Sequence, residues 1–202
     1  MAAIWFWLAI LVVAIYVVMD GFDFGAGGLH LWVARGADQE RERRQVLAAI
    51  GPFWDGNEVW LLVAGGVLFL AFPKVLASGL SGFYLAIMML LWTLILRGSA
   101  IELRSHVADR LWRSFWDAVF AVSSLAAPVL LGAALGNLLR GVPLDSDGWF
   151  SLPLFDSFSP FGKLGVLDFY TVLTGVFALV AILHHGALFL AWKTDGAVGE
   201  RS

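Results

Sequence analysis

Cysteine is absent from the 202 residues, which removes disulfides, iron–sulfur ligation and thiol catalysis. Charge is scarce: Asp, Glu, Lys and Arg together make up 14% of the chain, where a soluble domain carries about a quarter. Neither sign dominates, the net charge being −3, so there is no basic face for nucleic acid and no acidic tail. No Gly-rich phosphate loop, Walker sequence or metalloprotease helix occurs. The first apolar run lacks the basic leader and small-residue cleavage site of a secretory signal and ends in Asp20-Gly21-Phe22-Asp23, so it is expected to stay in place as a membrane anchor. What the chain has in excess is apolar surface: 60% hydrophobic residues, with ten Trp and sixteen Phe. No aqueous core of this size hides that much, and lipid is the expected solvent.

Uncharged apolar stretches run over 3–19, 59–72, 75–96, 118–139 and 169–192. Crossing about 30 Å of hydrocarbon takes roughly 20 helical residues, a length the last three reach unaided. The first reaches it only by continuing through Asp20 and Asp23, and the second only by starting near Pro52 and carrying Asp55 and Glu58 inside. The expected fold is therefore all-α: a polytopic membrane bundle of about five spans, near 3–33, 52–72, 75–97, 115–140 and 165–192, in a single membrane domain over 1–202. Pro73 is expected to leave only a tight hairpin between spans two and three. Arg35, Arg41, Arg43 and Arg44 follow the first span, Arg97 edges the third, with Arg104, Arg110 and Arg113 beyond it, and Lys193 and Arg201 follow the fifth. The opposite loops hold Lys74, then Arg140 and Lys163 beside Asp145, Asp147 and Asp156. Positive charge on the cytoplasmic side then puts the N-terminus outside. The Pro- and aromatic-rich segment 144–163 is expected to rest at the outer interface, and Gly21, Gly25, Gly132, Gly136, Gly175 and Ala178 fit close helix contacts.

The two short spans carry the chemistry. Asp20 and Asp23 are three apart and share one helix face, and Asp55 and Glu58 repeat the spacing. With the first helix ending near Ala34, Asp20 lies about 21 Å along the axis, and the four carboxyls make a ladder from the cytoplasmic face toward mid-membrane. Ionised carboxylates there cost about 2.5–3.5 kcal/mol on insertion scales, so they protonate, pair or recruit water. Such a chain with water between its members is a proton path. The structural alternative pairs Asp23 with Arg97 and sets Glu58 as a cap at a helix N-terminus. His30, His106, His184 and His185 offer no opposed pair for a haem or metal, and no self-contained catalytic centre is visible.

Asp20-Gly21-Phe22-Asp23-Phe24-Gly25-Ala26-Gly27 is similar to the D-G-F-D-x-G-x-G signature of cytochrome bd quinol oxidase subunit II. Gly51-Pro52-Phe53-Trp54-Asp55-Gly56-Asn57-Glu58-Val59-Trp60-Leu61, then Ala64-Gly65-Gly66 and Phe72-Pro73, resembles that family's most distinctive block. Ser81-Gly82-Phe83-Tyr84, Arg97-Gly98-Ser99-Ala100-Ile101-Glu102-Leu103-Arg104, Gly136-Asn137-Leu138-Leu139-Arg140-Gly141-Val142-Pro143 and His185-Gly186-Ala187 continue the likeness in order. Ile101 and Leu103 depart from the aromatics common in the family at the second of these stretches, and leave Arg97, Glu102 and Arg104 in place as an expected ion-pairing set.

The resemblance implies a haem-free subunit of a terminal oxidase in the bacterial inner membrane, beside a subunit I that holds haems b and d. Quinol is oxidised at the outer face and dioxygen reduced to water with protons drawn from the cytoplasm, which makes the cycle electrogenic. It implies proton-path roles for Asp20, Asp23, Trp54, Asp55 and Glu58. A small single-helix subunit, membrane lipid and a structural quinone are further candidate partners. Family chains run on into a second bundle, which this sequence, stopping at Ser202, does not include; a fragment, a split product and a truncated record are all open. The rival reading is a proton-coupled secondary transporter, whose sites are formed by broken helices at the midplane of paired repeats.

Overall fold

A computed structural model describes residues 1–36 and 38–202, and every regular element among them is a helix. In chain order these are α1 (Ala2–Val33), α2 (Gln39–Ile50), α3 (Trp54–Ala71), α4 (Pro73–Gly82), α5 (Tyr84–Leu103), α6 (Arg110–Arg140), α7 (Phe169–Lys193) and α8 (Ala197–Arg201). Helices α1, α5, α6 and α7 are each long and apolar enough to cross a membrane, and α2 with α3, bent by 44°, makes a fifth candidate. The all-helical membrane bundle expected from hydropathy is what the chain forms.

The ends of these helices are written in local chemistry. Asp38 caps α2 by accepting from the Arg41 N–H at 3.3 Å, and Asp109 caps α6 by accepting from the Trp112 N–H at 2.9 Å. Asp168 and Thr171 form a reciprocal capping box at the start of α7, which satisfies two otherwise orphan N–H groups. Gly141, at φ +89°, stops α6.

Two boundaries differ from the sequence expectation. The stretch after α1 is not a loop: it folds as the 12-residue α2, with Val46, Ala49 and Ile50 inward and its charged side chains on the other faces. It is too short and too polar to register as a span, and Pro52, which has no N–H, marks the bend into α3. The expected third span is two helices. Pro73 occupies the first turn of α4, where its missing N–H costs nothing, so Phe72 alone separates α3 from α4. Phe83 then separates α4 from α5, packing edge-on against Phe150 at 4.9 Å between ring centres. Residues 141–168 have no helix and fold over that end, where Ser78 Oγ donates to the Gly148 carbonyl at 2.9 Å.

The core sets a run of charged and polar groups among its apolar clusters. Asp20, Asp23, His30, Asn57, Arg97, Arg104 and Asp117 are buried, while Leu62, Leu70, Trp92, Val122, Phe177 and Trp192 face outward. Lipid as the outer solvent explains the outer face. Close approach does the rest: Gly25 of α1 lies against Gly186 of α7, and Gly132 of α6 against Gly175 and Ala178 of α7. Dispersion between backbones needs small residues where no hydrophobic effect drives helices together.

Candidate functional site

Helix α1 brings Asp20 and Asp23 into the interior, α3 brings Asn57 and Glu58, and α5 brings Arg97. The Arg97 Nη2 donates to Asp20 Oδ1 and to Glu58 Oε1, each at 2.7 Å, and its guanidinium lies 4.1 Å from the centre of the Phe24 ring. Asn57 Nδ2 donates to Asp23 Oδ2 at 2.8 Å and to the Met19 carbonyl at 3.0 Å. The pairing of Asp23 with Arg97 weighed above is therefore not the one formed, because Asp20 and Glu58 take the guanidinium and Asn57 takes Asp23. Nor is Glu58 an N-cap: it is the fifth residue of α3 and its carboxylate turns to Arg97.

Asp20, Asp23 and Arg97 are fully buried, whereas the Glu58 side chain is 29% exposed. Asp55, one turn nearer the start of α3, is exposed, and the half-buried Trp54 ring rests against Gly98 of α5. The expected acids thus divide into an outer pair, Asp55 and Glu58, and an inner pair, Asp20 and Asp23, with Arg97 joining one member of each. Among the described residues five buried atoms at this locus have no hydrogen-bond partner at close range, Tyr16 Oη, Asp20 Oδ2, Asp23 Oδ1, Arg97 Nε and Arg97 Nη1, the Tyr16 hydroxyl lying beside the Asp20 carboxyl. The Phe24 face meets part of the Arg97 demand; the oxygens have no such substitute.

A second network lies toward the α1 C-terminus and was not foreseen. Asp117 of α6 accepts from Arg104 Nε at 2.5 Å and Nη2 at 3.1 Å, from Arg43 Nη1 at 3.0 Å, and pairs with His30 Nε2 at 2.7 Å. Glu40 of α2 joins it, accepting from Arg104 at 2.9 Å and Arg113 at 3.1 Å. The available signal was a lone acid in a 31-residue helix. Of the expected ion-pairing set, Arg97 and Arg104 are held this way, but Glu102 is not: it is exposed and has no ion pair among the described residues.

Two further ties close the ends. Arg140 bonds Asp168, Asn137 Oδ1 and the Gly165 carbonyl. Burial works to raise Asp168, but the Arg140 guanidinium and the N–H groups of Thr171 and Gly165 outweigh it and hold the carboxyl below its usual range. Arg201 of α8 donates to Glu42 at 2.8 and 3.2 Å and to the Val33 carbonyl at 2.8 Å. The same guanidinium, with the Gly36 N–H, holds Glu42 below its ordinary value.

Three of the four histidines are engaged elsewhere. His30 Nε2 faces Asp117, His185 Nε2 faces the Val18 carbonyl at 2.9 Å, His106 Nδ1 faces the Glu102 carbonyl at 2.8 Å, and His184 lies on the outer face of α7. No two of them oppose one another as axial haem ligands do.

Compared with known proteins, residues 1–202 match the family described as cytochrome bd terminal oxidase subunit II. The chain is 38% identical over 204 residues to cytochrome bd-I ubiquinol oxidase subunit 2 of Escherichia coli strain K12, covering 98% of this chain and 50% of that one. It is 35% identical over 199 residues to cytochrome bd ubiquinol oxidase subunit 2 of Bacillus subtilis strain 168, covering 98% of this chain and 55% of that one. The chain spans about half the length of these curated relatives.

Proposed function

The chain belongs to the cytochrome bd terminal oxidase subunit II family, and from that premise we propose that it works as the haem-free part of a quinol:oxygen oxidoreductase, scaffolding a haem-bearing subunit I and taking up protons for the reduction of dioxygen to water. It is an integral membrane protein, placed by this reading in the bacterial inner membrane with the α1 C-terminus, α2 and the start of α3 toward the cytoplasm. Haems b and d, bound in subunit I, carry electrons from quinol to oxygen. On this reading haem stays with subunit I, and this chain contributes proton uptake and packing.

The observation that carries this reading is the inner cluster. Two carboxyls, Asp20 and Glu58, share a single guanidinium, and a third, Asp23, lies one turn along α1 from Asp20 on Asn57. An excess of buried negative charge is not sustained in a low-dielectric interior, so protons make up the balance. Two of the carboxyls each present one oxygen without a protein partner, and such groups are satisfied by water. Water against carboxyls that exchange protons is a conducting unit. Its outer members, Asp55 and the part-exposed Glu58, supply the uptake end; its inner members, Asp20 and Asp23, supply the delivery end.

The test is quinol-driven oxygen uptake by membranes carrying the full oxidase, comparing wild type with Asp20→Asn and Asp55→Asn, and haem content measured in parallel. Retained haem with turnover lowered roughly a hundredfold, the scale of a lost proton-transfer group, is expected. Lost haem would make the carboxyls props for the partner subunit. Unchanged turnover in both variants would remove the proton path, and oxidase activity indifferent to the chain would favour a proton-coupled transporter.

A further inference from the structure

The unpartnered polar atoms do not stop at the inner acids. Asp20, Asp23, Gly27 and His30 follow one another at intervals of three, four and three, which keeps them on one face of α1. Asp117, Phe120, Ser124 and Ala127 repeat that pattern on α6, and the two faces meet. His30 pairs with Asp117 and sits edge-on to Phe120 at 5.3 Å between ring centres. Gly27 lies directly over Ser124 Oγ, so close that no side chain fits between them. Along this seam His30 Nδ1 and Ser124 Oγ are both buried and, among the described residues, both without a hydrogen-bond partner, as Asp23 Oδ1 is one turn further on. Pro128, four residues after Ser124 within α6, has no N–H to give the Ser124 carbonyl, which leaves a second acceptor at the same place.

Polar atoms that are completely buried and unpaired are rare and call for a reason. Here they are spaced to hand a proton along. His30 is separated from Gly27 by a rise of about 4.5 Å and Gly27 from Asp23 by about 6 Å, intervals that Ser124 and bridging water span. We propose that His30 is a proton-relay residue feeding Asp23 through Ser124, with Asp117 as the positioning residue that fixes its ring. This rests on the proton-uptake reading above and extends it toward the loop side of α1.

The step balances simply. An imidazolium gives its Nδ1 proton to the Ser124 oxygen, directly or through water, while Ser124 releases its own hydroxyl proton toward the Asp23 carboxylate. The products are a neutral imidazole, an unchanged serine and a neutral carboxylic acid. The Asp117 carboxylate, accepting from Nε2–H, orients the ring with Nδ1 toward Ser124, and the neutral ring is recharged at Nδ1 by turning about Cβ–Cγ toward water that enters past Arg43 before it turns back. Solvent reaches the network past Arg43, whose side chain is 21% exposed. The charged groups facing His30 are Arg43 of α2, Arg104 after α5 and Asp117 of α6, while the α7 residues at that cluster, Phe189 and Leu190, are apolar. Arg43 and Arg104 already balance Asp117, so a proton added to the ring is passed on rather than stored.

The experiment uses the complete oxidase in membranes, with haem content, oxygen uptake and its pH profile measured for His30→Gln, Ser124→Ala and Asp23→Asn. With haem retained, His30→Gln and Ser124→Ala are expected to lower turnover about tenfold, and His30→Gln to flatten the pH profile, since glutamine does not titrate. Full turnover in both variants at every pH overturns the proposal. Should His30→Gln lose haem, Ser124→Ala decides, since it leaves the Asp117 network intact; normal turnover there makes His30 a structural prop. A slow Asp23→Asn beside normal His30 and Ser124 variants would sink this extension alone, whereas a normal Asp23→Asn together with normal Asp20→Asn would sink the underlying reading.

Discussion

Replacing Arg97 with leucine removes a guanidinium that is 0% exposed and that meets two carboxylates at 2.7 Å each. The volume is roughly kept, so the loss is electrostatic. Stripping one partner from a buried ion pair costs about 3–5 kcal/mol, because the remaining charge is left uncompensated. Loss of the Phe24 contact adds up to about 2 kcal/mol when the cation is desolvated. Glu58 contributes the smaller share, being part-exposed and able to turn to water, so most of the penalty belongs to Asp20. That assigns a specific rescue: Asp20→Asn on the Arg97→Leu background removes the stranded charge and should recover more than half of the loss. Unfolding free energies in mixed detergent, measured on the wild type, both single variants and the double variant, give the coupling directly. A single-variant cost below about 1 kcal/mol, or no recovery in the double variant, would refute the assignment of Arg97 as the counter-charge of the inner acids.

Two other outcomes follow from the geometry. Adding a methyl at Gly25 places a Cβ 2.7 Å from the backbone of Gly186; backbone cannot yield as a side chain does, so Gly25→Ala should cost at least the ~1–3 kcal/mol of ordinary overpacking, read by the same titration, and an unchanged midpoint would mean α1 and α7 are not in contact. The Glu42–Arg201 tie has a pH signature: with its folded value below the ordinary 4.5, Glu42 contributes stability that is fully present above about 4.5 and is lost as pH falls through the lowered value. Hydrogen exchange in α8 should accelerate across that acid window in wild type and be insensitive to it in Glu42→Gln, and identical profiles would remove the tie.

Much of the fold was legible because lipid imposes length. Runs of about 20 apolar residues have only one way to satisfy their backbone in a bilayer, and α1, α5, α6 and α7 follow from that. Helix α2 was not legible: residues 39–50 read as a charged loop, since a short amphipathic helix dictated by the packing of Val46, Ala49 and Ile50 leaves no hydropathy signal. Spacing placed Asp20 and Asp23 on one face, yet they take different partners. Residues three apart differ by about 60° around a helix axis, enough to point one at α5 and the other at α3. The same arithmetic explains Glu102, which lies about 140° around α5 from Arg97 and so faces out. Asp117 was hidden for another reason: a carboxylate inside an apolar helix declares itself only through the cations brought to it from α2 and the end of α5.

Arg97 and Arg104 show how the two networks relate. They are seven residues apart on one side of α5, two turns of helix, and each grips one buried carboxylate. Arg97 reaches Asp20 on α1, and Arg104 reaches Asp117 on α6. Helix α5 packs on α6, and it meets α1 and α3 through apolar contacts such as Trp54 on Gly98 and through the Arg97 side chain, beside the place where the unpaired oxygens gather. A long flexible cation thus stands where a tight apolar contact would exclude water. That arrangement makes sense of the cost of burying so many polar groups. An apolar substitute for a buried ion pair is often as stable or more so, and packing alone would favour one here. Retaining Arg97 instead ties α5 to Asp20 of α1 and Glu58 of α3, while Arg104 ties the end of α5 to Asp117 of α6. Two buried carboxylates, Asp20 of α1 and Asp117 of α6, are thus tied to the same helix two turns apart.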